Sequence, residues 1–171
     1  MITGISLLLL SACGDISDVK EKEFEAPFVE EKQREFTPVF NPLDVSLRDK
    51  VGDMTITSIN IDNIEGYGVT GVMTFQGKLS LDGTYEIYEN HDVYGNGIVF
   101  SPTAESSSKL PLMSHDNRPI HIIITNQDLM KELIQTKSSS NEISIVISEY
   151  TIKHGRDYTV NEATVIPPNI E

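Results

Sequence analysis

The sequence contains one cysteine, Cys13, and no tryptophan. A lone cysteine cannot close an internal disulfide, and it has no second thiolate with which to build a metal cluster. Basic residues are scarce: 13 Lys and Arg stand against 26 Asp and Glu, a formal charge of −13. A surface that acidic repels phosphate backbones and anionic headgroups, and the bases gather into no compensating patch, so no nucleic acid is expected as a partner. Catalytic signatures are missing too. There is no HExxH helix, GxSxG elbow, phosphate-binding glycine loop or dinucleotide fingerprint. No internal repeat of roughly 20–50 residues is visible. What is there is a chain of 171 residues, 39% hydrophobic and 23% charged, the size and balance of one soluble globular domain.

The first twelve residues carry no charged side chain. Ile2 to Leu10 is almost wholly apolar and is followed by Ser11-Ala12-Cys13-Gly14. Such a run spans only ~15 Å as a helix, half of the ~30 Å hydrocarbon core, so it is too short to cross a bilayer and fits the apolar region of a signal peptide. Leu10-Ser11-Ala12-Cys13 resembles the lipobox of bacterial lipoproteins, a leucine and two small residues before a cysteine. The resemblance covers about the first fourteen residues. It implies that the Cys13 sulfur receives a diacylglyceryl group, that signal peptidase II cuts before Cys13, and that this residue becomes the lipidated amino terminus. The departure from the pattern is an apolar run with no Lys or Arg before it, for which a translation start a few codons upstream is the expected explanation. Two or three acyl chains hold a protein firmly on a membrane, where one holds it marginally. The expected location is therefore the bacterial cell envelope, with the domain outside the cytoplasm.

Residues 1–12 thus read as signal peptide and residues 13–42 as a lipidated, charged tether rich in Asp, Glu and Lys with Pro27, Pro38 and Pro42. Phe24, Phe28, Phe36 and Phe40 are unusual in a spacer and are expected to dock the end of the tether onto the domain, with binding of a partner as the alternative. Residues 43–171 form the domain. Met54 to Ile61 reads as a strand whose parity slips once, as at a β-bulge. From Tyr67 to Ile87 the odd positions are apolar or glycine and the even ones mostly polar, a period of two over some twenty residues. Asp82-Gly83 within it invites a two-residue hairpin, but that would set Leu81 opposite Thr84 and Leu79 opposite Glu86, mixing the faces. The pattern predicts one long curved strand, or two strands joined by an odd-length loop. Gly71, Gly77 and Gly83, six apart on the apolar face, permit the coiling.

Further on, Asn90–Gly97 is a turn cluster, Ile98–Ser101 a short strand, and the stretch to Asn117 a polar loop. Pro119 opens a strand over Ile120–Thr125. Asn126 precedes a helix expected over 127–136, with Leu129, Leu133 and Ile134 on its apolar face. Two strands, Glu142–Lys153 and Asp157–Ile166, flank a hairpin-like His154-Gly155-Arg156. The pattern predicts a mainly β domain, a single antiparallel β-sandwich or small β-barrel with one short α-helix.

Candidate chemistry is sparse. His91, His115 and His154 fall in loops and His121 on the polar face of a strand, with no zinc-ligand spacing among them. Asp62–Gly66 and the turn around Asn90, Asp92 and Asn96 offer oxygen atoms, yet lack the spacing of a calcium loop and read as turns. Ser114-His115-Asp116 has the residue types of a triad, but consecutive residues cannot orient one another. Asp116-Asn117-Arg118 reads as a turn with a local ion pair. No catalytic residue, no metal ligand and no cofactor is expected; Cys13 is the one assigned site, for lipid. The expected function is a non-catalytic envelope lipoprotein, held to the membrane through Cys13 and binding an envelope protein, a cell-wall component or a small ligand. Two alternatives remain: a surface enzyme, metal-dependent or hydrolytic, with a site assembled from distant Asp, Glu and His, and an envelope spacer or assembly subunit.

Overall fold

The computed structural model describes residues 33–65, 68–136 and 140–168. The lipobox with Cys13, the signal segment, Phe24, Phe28 and Gly66 lie outside them. In chain order the elements are β1 (Glu35–Phe36), β2 (Val39–Phe40), β3 (Lys50–Val51), β4 (Met54–Ile64), β5 (Gly68–His91), β6 (Gly95–Pro102), α1 (Ala104–Ser107), β7 (Leu112–Met113), β8 (Ile122–Ile124), α2 (Gln127–Gln135), β9 (Glu142–His154) and β10 (Thr159–Ile166).

The period-two run is one strand, β5, of 24 residues. Its length lets it serve several neighbours. One edge pairs with β9 from Gly71 to Thr84; the other pairs with β4 along the first half and with β6 along the second. Asp82 and Gly83 lie inside the strand, so no hairpin forms there. The bend depends on absent side chains. Gly71 has φ +130°, and a Cβ on it would collide with the Asn60 carbonyl; a Cβ on Gly83 would collide with that of Ser101. The slip in β4 is a register shift between Ile56 and Ser58.

Pairing continues from β6 to β8, β8 to β10, β10 to β9 and β9 back to β5, so the five strands close a ring. All neighbours in it are antiparallel except β8 and β10, which run parallel with Ile122–Ile124 beside Asn161–Ala163. The domain is therefore a small barrel with one parallel closure, where sequence patterning left sandwich and barrel open and expected antiparallel pairing throughout. Numbered from β5, the strand order around the ring is first, second, third, fifth, fourth, with α2 between the third and fourth. That is the topology of the OB-fold, a five-stranded Greek-key barrel. Strands β4, β3 and β1 extend the sheet outside the ring, and β2 pairs with β7 in a separate parallel pair.

The inward faces form one core. Met73, Phe75, Leu79 and Leu81 of β5 meet Ile143, Ile145, Ile147, Tyr150 and Ile152 of β9, with Phe100, Ile122, Ile124 and Val165 completing the circle. Parity in β9 changes after Ile147, where the register against β5 shifts. The Phe75 ring lies 5.8 Å from that of Phe40 and 6.2 Å from that of Tyr150.

Of the four phenylalanines expected to dock the tether's end, the two among the described residues reach the domain: Phe40 is buried in the core and Phe36 packs against it. Arg34 holds this end in place by donating to the buried Asp49 carboxylate through Nε at 3.2 Å and through Nη2. Burial alone would raise the Asp49 pKa; Arg34 and the Ser46 amide outweigh it and bring it below the ordinary value. Helix α2 ends one residue before the expected 136, and its fully buried residue is Met130, with Leu129, Leu133 and Ile134 packed beside it. Asn126 does not cap the helix with its side chain. Its Oδ1 accepts from the Val165 amide at 2.9 Å and its Nδ2 donates to the Val165 carbonyl at 2.6 Å, so it pairs with β10 as a strand residue would. The expected polar loop before Asn117 contains α1, capped by the Thr103 hydroxyl.

Candidate functional site

Three segments meet at one end of the barrel: the β5–β6 turn, the stretch between β7 and β8, and the β9–β10 turn, closed by the Gly155 amide donating to the Tyr158 carbonyl at 2.8 Å. Between them lies a crevice of about 60 Å³ lined by Val93, Tyr94, Asp116, Arg118, His121 and Asn161, together with Ile120, Ile123 and Val160. Broader depressions occur elsewhere, such as the one beside Asp82 and Glu142. The crevice is set apart by the polar cluster on its wall.

Asp116 is the centre of that cluster. Its side chain is 7% exposed and accepts from the Arg118 amide at 3.2 Å, from Arg118 Nε at 2.8 Å and Nη2 at 3.0 Å, and from the Thr159 hydroxyl at 2.8 Å. Burial would push its pKa up; the Arg118 guanidinium, the Thr159 hydroxyl and the Arg118 amide outweigh it and bring it down to about 2. The turn and ion pair expected at Asp116-Asn117-Arg118 are present.

The proton positions around it follow from the network. A carboxylate only accepts, so the single Thr159 hydroxyl proton goes to Asp116. Of the two contacts of His154 Nδ1, the one to the Thr159 oxygen at 2.7 Å is closer than the one to Arg118 Nη2 at 3.3 Å, and it assigns Nδ1 a proton to donate. That leaves His154 Nε2 as an acceptor, and His115 Nε2 lies 3.3 Å away as its donor. The two rings meet edge to face, 4.9 Å apart at 80°. Burial lowers the His154 pKa, His115 and Arg118 lower it further, and Asp116 opposes them. Behind the cluster, the Tyr150 hydroxyl is fully buried with no partner among the described residues, and burial raises its pKa.

In the β5–β6 turn His91 Nδ1 accepts from the Val93 and Tyr94 amides at 3.2 and 3.3 Å, and its ring stacks on Tyr94 at 4.9 Å. His121 Nδ1 lies 2.9 Å from Ser101 Oγ. Val93, on the crevice wall, stands more than half exposed.

Ser114, His115 and Asp116 form no triad. The Ser114 amide donates to the Phe40 carbonyl, His115 turns to His154, and Asp116 turns to Arg118 and Thr159. His115 and His154 are 39 residues apart, and no local spacing announces their meeting. Asn96 Oδ1 accepts from the Asn90 amide at 2.6 Å, an internal turn bond. Among the described residues no group of three His, Cys, Asp or Glu side chains is placed to hold a metal ion.

Thr159→Val removes the hydroxyl that joins Asp116 to His154. It is expected to lower stability by about 1–3 kcal/mol, measured by chemical denaturation; an unchanged midpoint would show that the two groups need no bridge. Compared with family models, with curated proteins and with solved structures, the chain matches none.

Proposed function

We infer that the chain is a non-catalytic binding lipoprotein of a bacterial cell envelope, anchored through Cys13, whose barrel end takes a saccharide component of the cell wall. The observation that carries the binding reading is the convergence of a polar cluster and the exposed Val93 side chain on the crevice between the β5–β6 and β9–β10 turns. These turns are the loops that OB-fold barrels use, beside their second and third strands, to hold oligonucleotides and oligosaccharides. That support is an analogy of fold. Acidity decides between the two ligand classes: a chain of charge −13 repels a polyanion and leaves an uncharged or zwitterionic saccharide. A crevice of about 60 Å³ is far below the ~300–1,000 Å³ of a small-molecule pocket, so it suits one projecting group of an extended ligand lying across the rim. Asp116, Thr159 and His154 bond one another, which favours a wall-forming role over a reactive one.

The ligand reading is tested by thermal melts with cell-wall oligosaccharides. A ligand at ~100 times its Kd adds about 2.7 kcal/mol and raises Tm by several degrees. No rise with any wall fragment counts against it. The anchor reading rests on Leu10-Ser11-Ala12-Cys13. Cys13→Ala is expected to abolish lipid labelling and to release the protein or leave an unprocessed precursor; unchanged labelling and membrane retention would contradict it.

A further inference from the structure

Beyond Ser114, the segment leading to His121 is joined to the barrel through side chains. Asp116 and Arg118 bond Thr159, His115 contacts His154, His121 lies against Ser101, and Asn161 reaches the His121 carbonyl at 3.5 Å. Asp116, Arg118 and His121 also line the crevice, so whatever holds this segment holds one wall.

The contact between His115 and His154 tolerates protons unequally. With both rings neutral, His115 donates from Nε2 and His154 accepts. With one proton added to His154, the roles reverse: His154 Nε2 donates and His115 switches tautomer to accept. With both rings protonated, two N–H groups and two positive charges face each other across 3.3 Å, and no tautomer relieves them. The surroundings add to the strain. Arg118 Nη2 lies 3.3 Å from His154 Nδ1, also a donor, so a third cationic group borders the pair. Asp116, 3.9 Å from His154, is the facing carboxylate, already bonded to Arg118 and Thr159. From β10, Thr159 contributes a hydroxyl; Lys153 and Glu162 pair with each other at 2.5 Å, and Arg156 with Asp157 at 3.9 Å.

We propose that His115 and His154 form an acid-operated latch that holds the 114–121 segment on the β9–β10 hairpin and releases it, opening the crevice, when both rings are protonated. Burial keeps His154 below its ordinary pKa, so the latch is closed at neutral pH. Its stabilisation is present above the unfolded histidine value of ~6.5 and is lost as pH falls through the lowered folded value. The regulatory meaning rests on the crevice being the ligand face; the latch itself is readable with no ligand present.

The test is a nuclear magnetic resonance titration of the full chain from about pH 7.5 to about pH 5, following imidazole nitrogens and backbone amides. The expected result is that His115 and His154 titrate in two coupled steps, and that amides of 114–121 and 154–160 shift with the second. His115→Gln and His154→Gln, which keep a hydrogen-bonding amide but take no proton, are expected to abolish the amide shifts. Amides that stay put in the unsubstituted chain, shifts that do not coincide with an imidazole step, or shifts that persist in both variants would overturn the latch. Should the variants fail to fold, the coincidence of steps in the unsubstituted chain decides alone. A chain that shows the coupled shift but binds no saccharide keeps the latch and loses the ligand reading.

Discussion

Replacing Phe75 with alanine lowers the free energy of unfolding by about 3–5 kcal/mol, read as an earlier denaturation midpoint at unchanged slope. The size follows from position. Phe75 is wholly buried on β5 where that strand is paired on both edges, opposite Ile56 of β4 and Tyr150 of β9. Its ring touches Phe40 and Tyr150, each fixed in its own strand, so the neighbours cannot collapse into the space it leaves. Ile87 lies further along the same strand but is 60% exposed, and Ile87→Ala is expected to change stability by less than about 0.5 kcal/mol. Equal losses at the two positions would contradict the winding of β5.

Acid weakens the domain through Asp116. Its pKa is near 2 in the folded chain against an ordinary 3.8. The stability it contributes is therefore complete above about pH 4 and is lost as pH falls towards 2, an amount of about 2 kcal/mol. Asp116→Asn is expected to remove that acid-dependent part and to lower stability at neutral pH by a similar amount. Asp49, also lowered, contributes equally in both chains, so the difference between their pH profiles isolates Asp116. Denaturation midpoints from pH 5 to 2 give the comparison. Parallel profiles would mean that the Arg118 and Thr159 bonds do not set this carboxyl.

Local patterns in the sequence were informative about strands. The alternation from Tyr67 to Ile87 excluded a two-residue hairpin and left one long curved strand or two strands with an odd-length loop, and the parity slip in Met54–Ile61 marked the bulge, because a strand with one buried face writes a period of two into its own residues. Closure of the barrel was not legible. The parallel pairing of Ile122–Ile124 with Asn161–Ala163 joins segments 39 residues apart, and nothing in either segment encodes the other. Asn126 shows a similar limit: its residue type suits a helix cap, but a β10 edge within reach took its side chain. Phe36 and Phe40 sat in polar surroundings that read as tether, and their aromatic rings were the signal that its end packs onto the core. At the crevice, Asp116 and Arg118 were readable because they are two residues apart. The meeting of His115 with His154, and of Asp116 with Thr159, is a product of the fold.

The binding face is the centre of this account, and amide mapping tests it most directly. A labelled Cys13→Ala chain would be titrated with soluble cell-wall oligosaccharides while every backbone amide is followed. The account predicts saturable shifts concentrated at residues 93–94, 118–123 and 158–161. Shifts elsewhere on the barrel, or none with any wall saccharide, would contradict it.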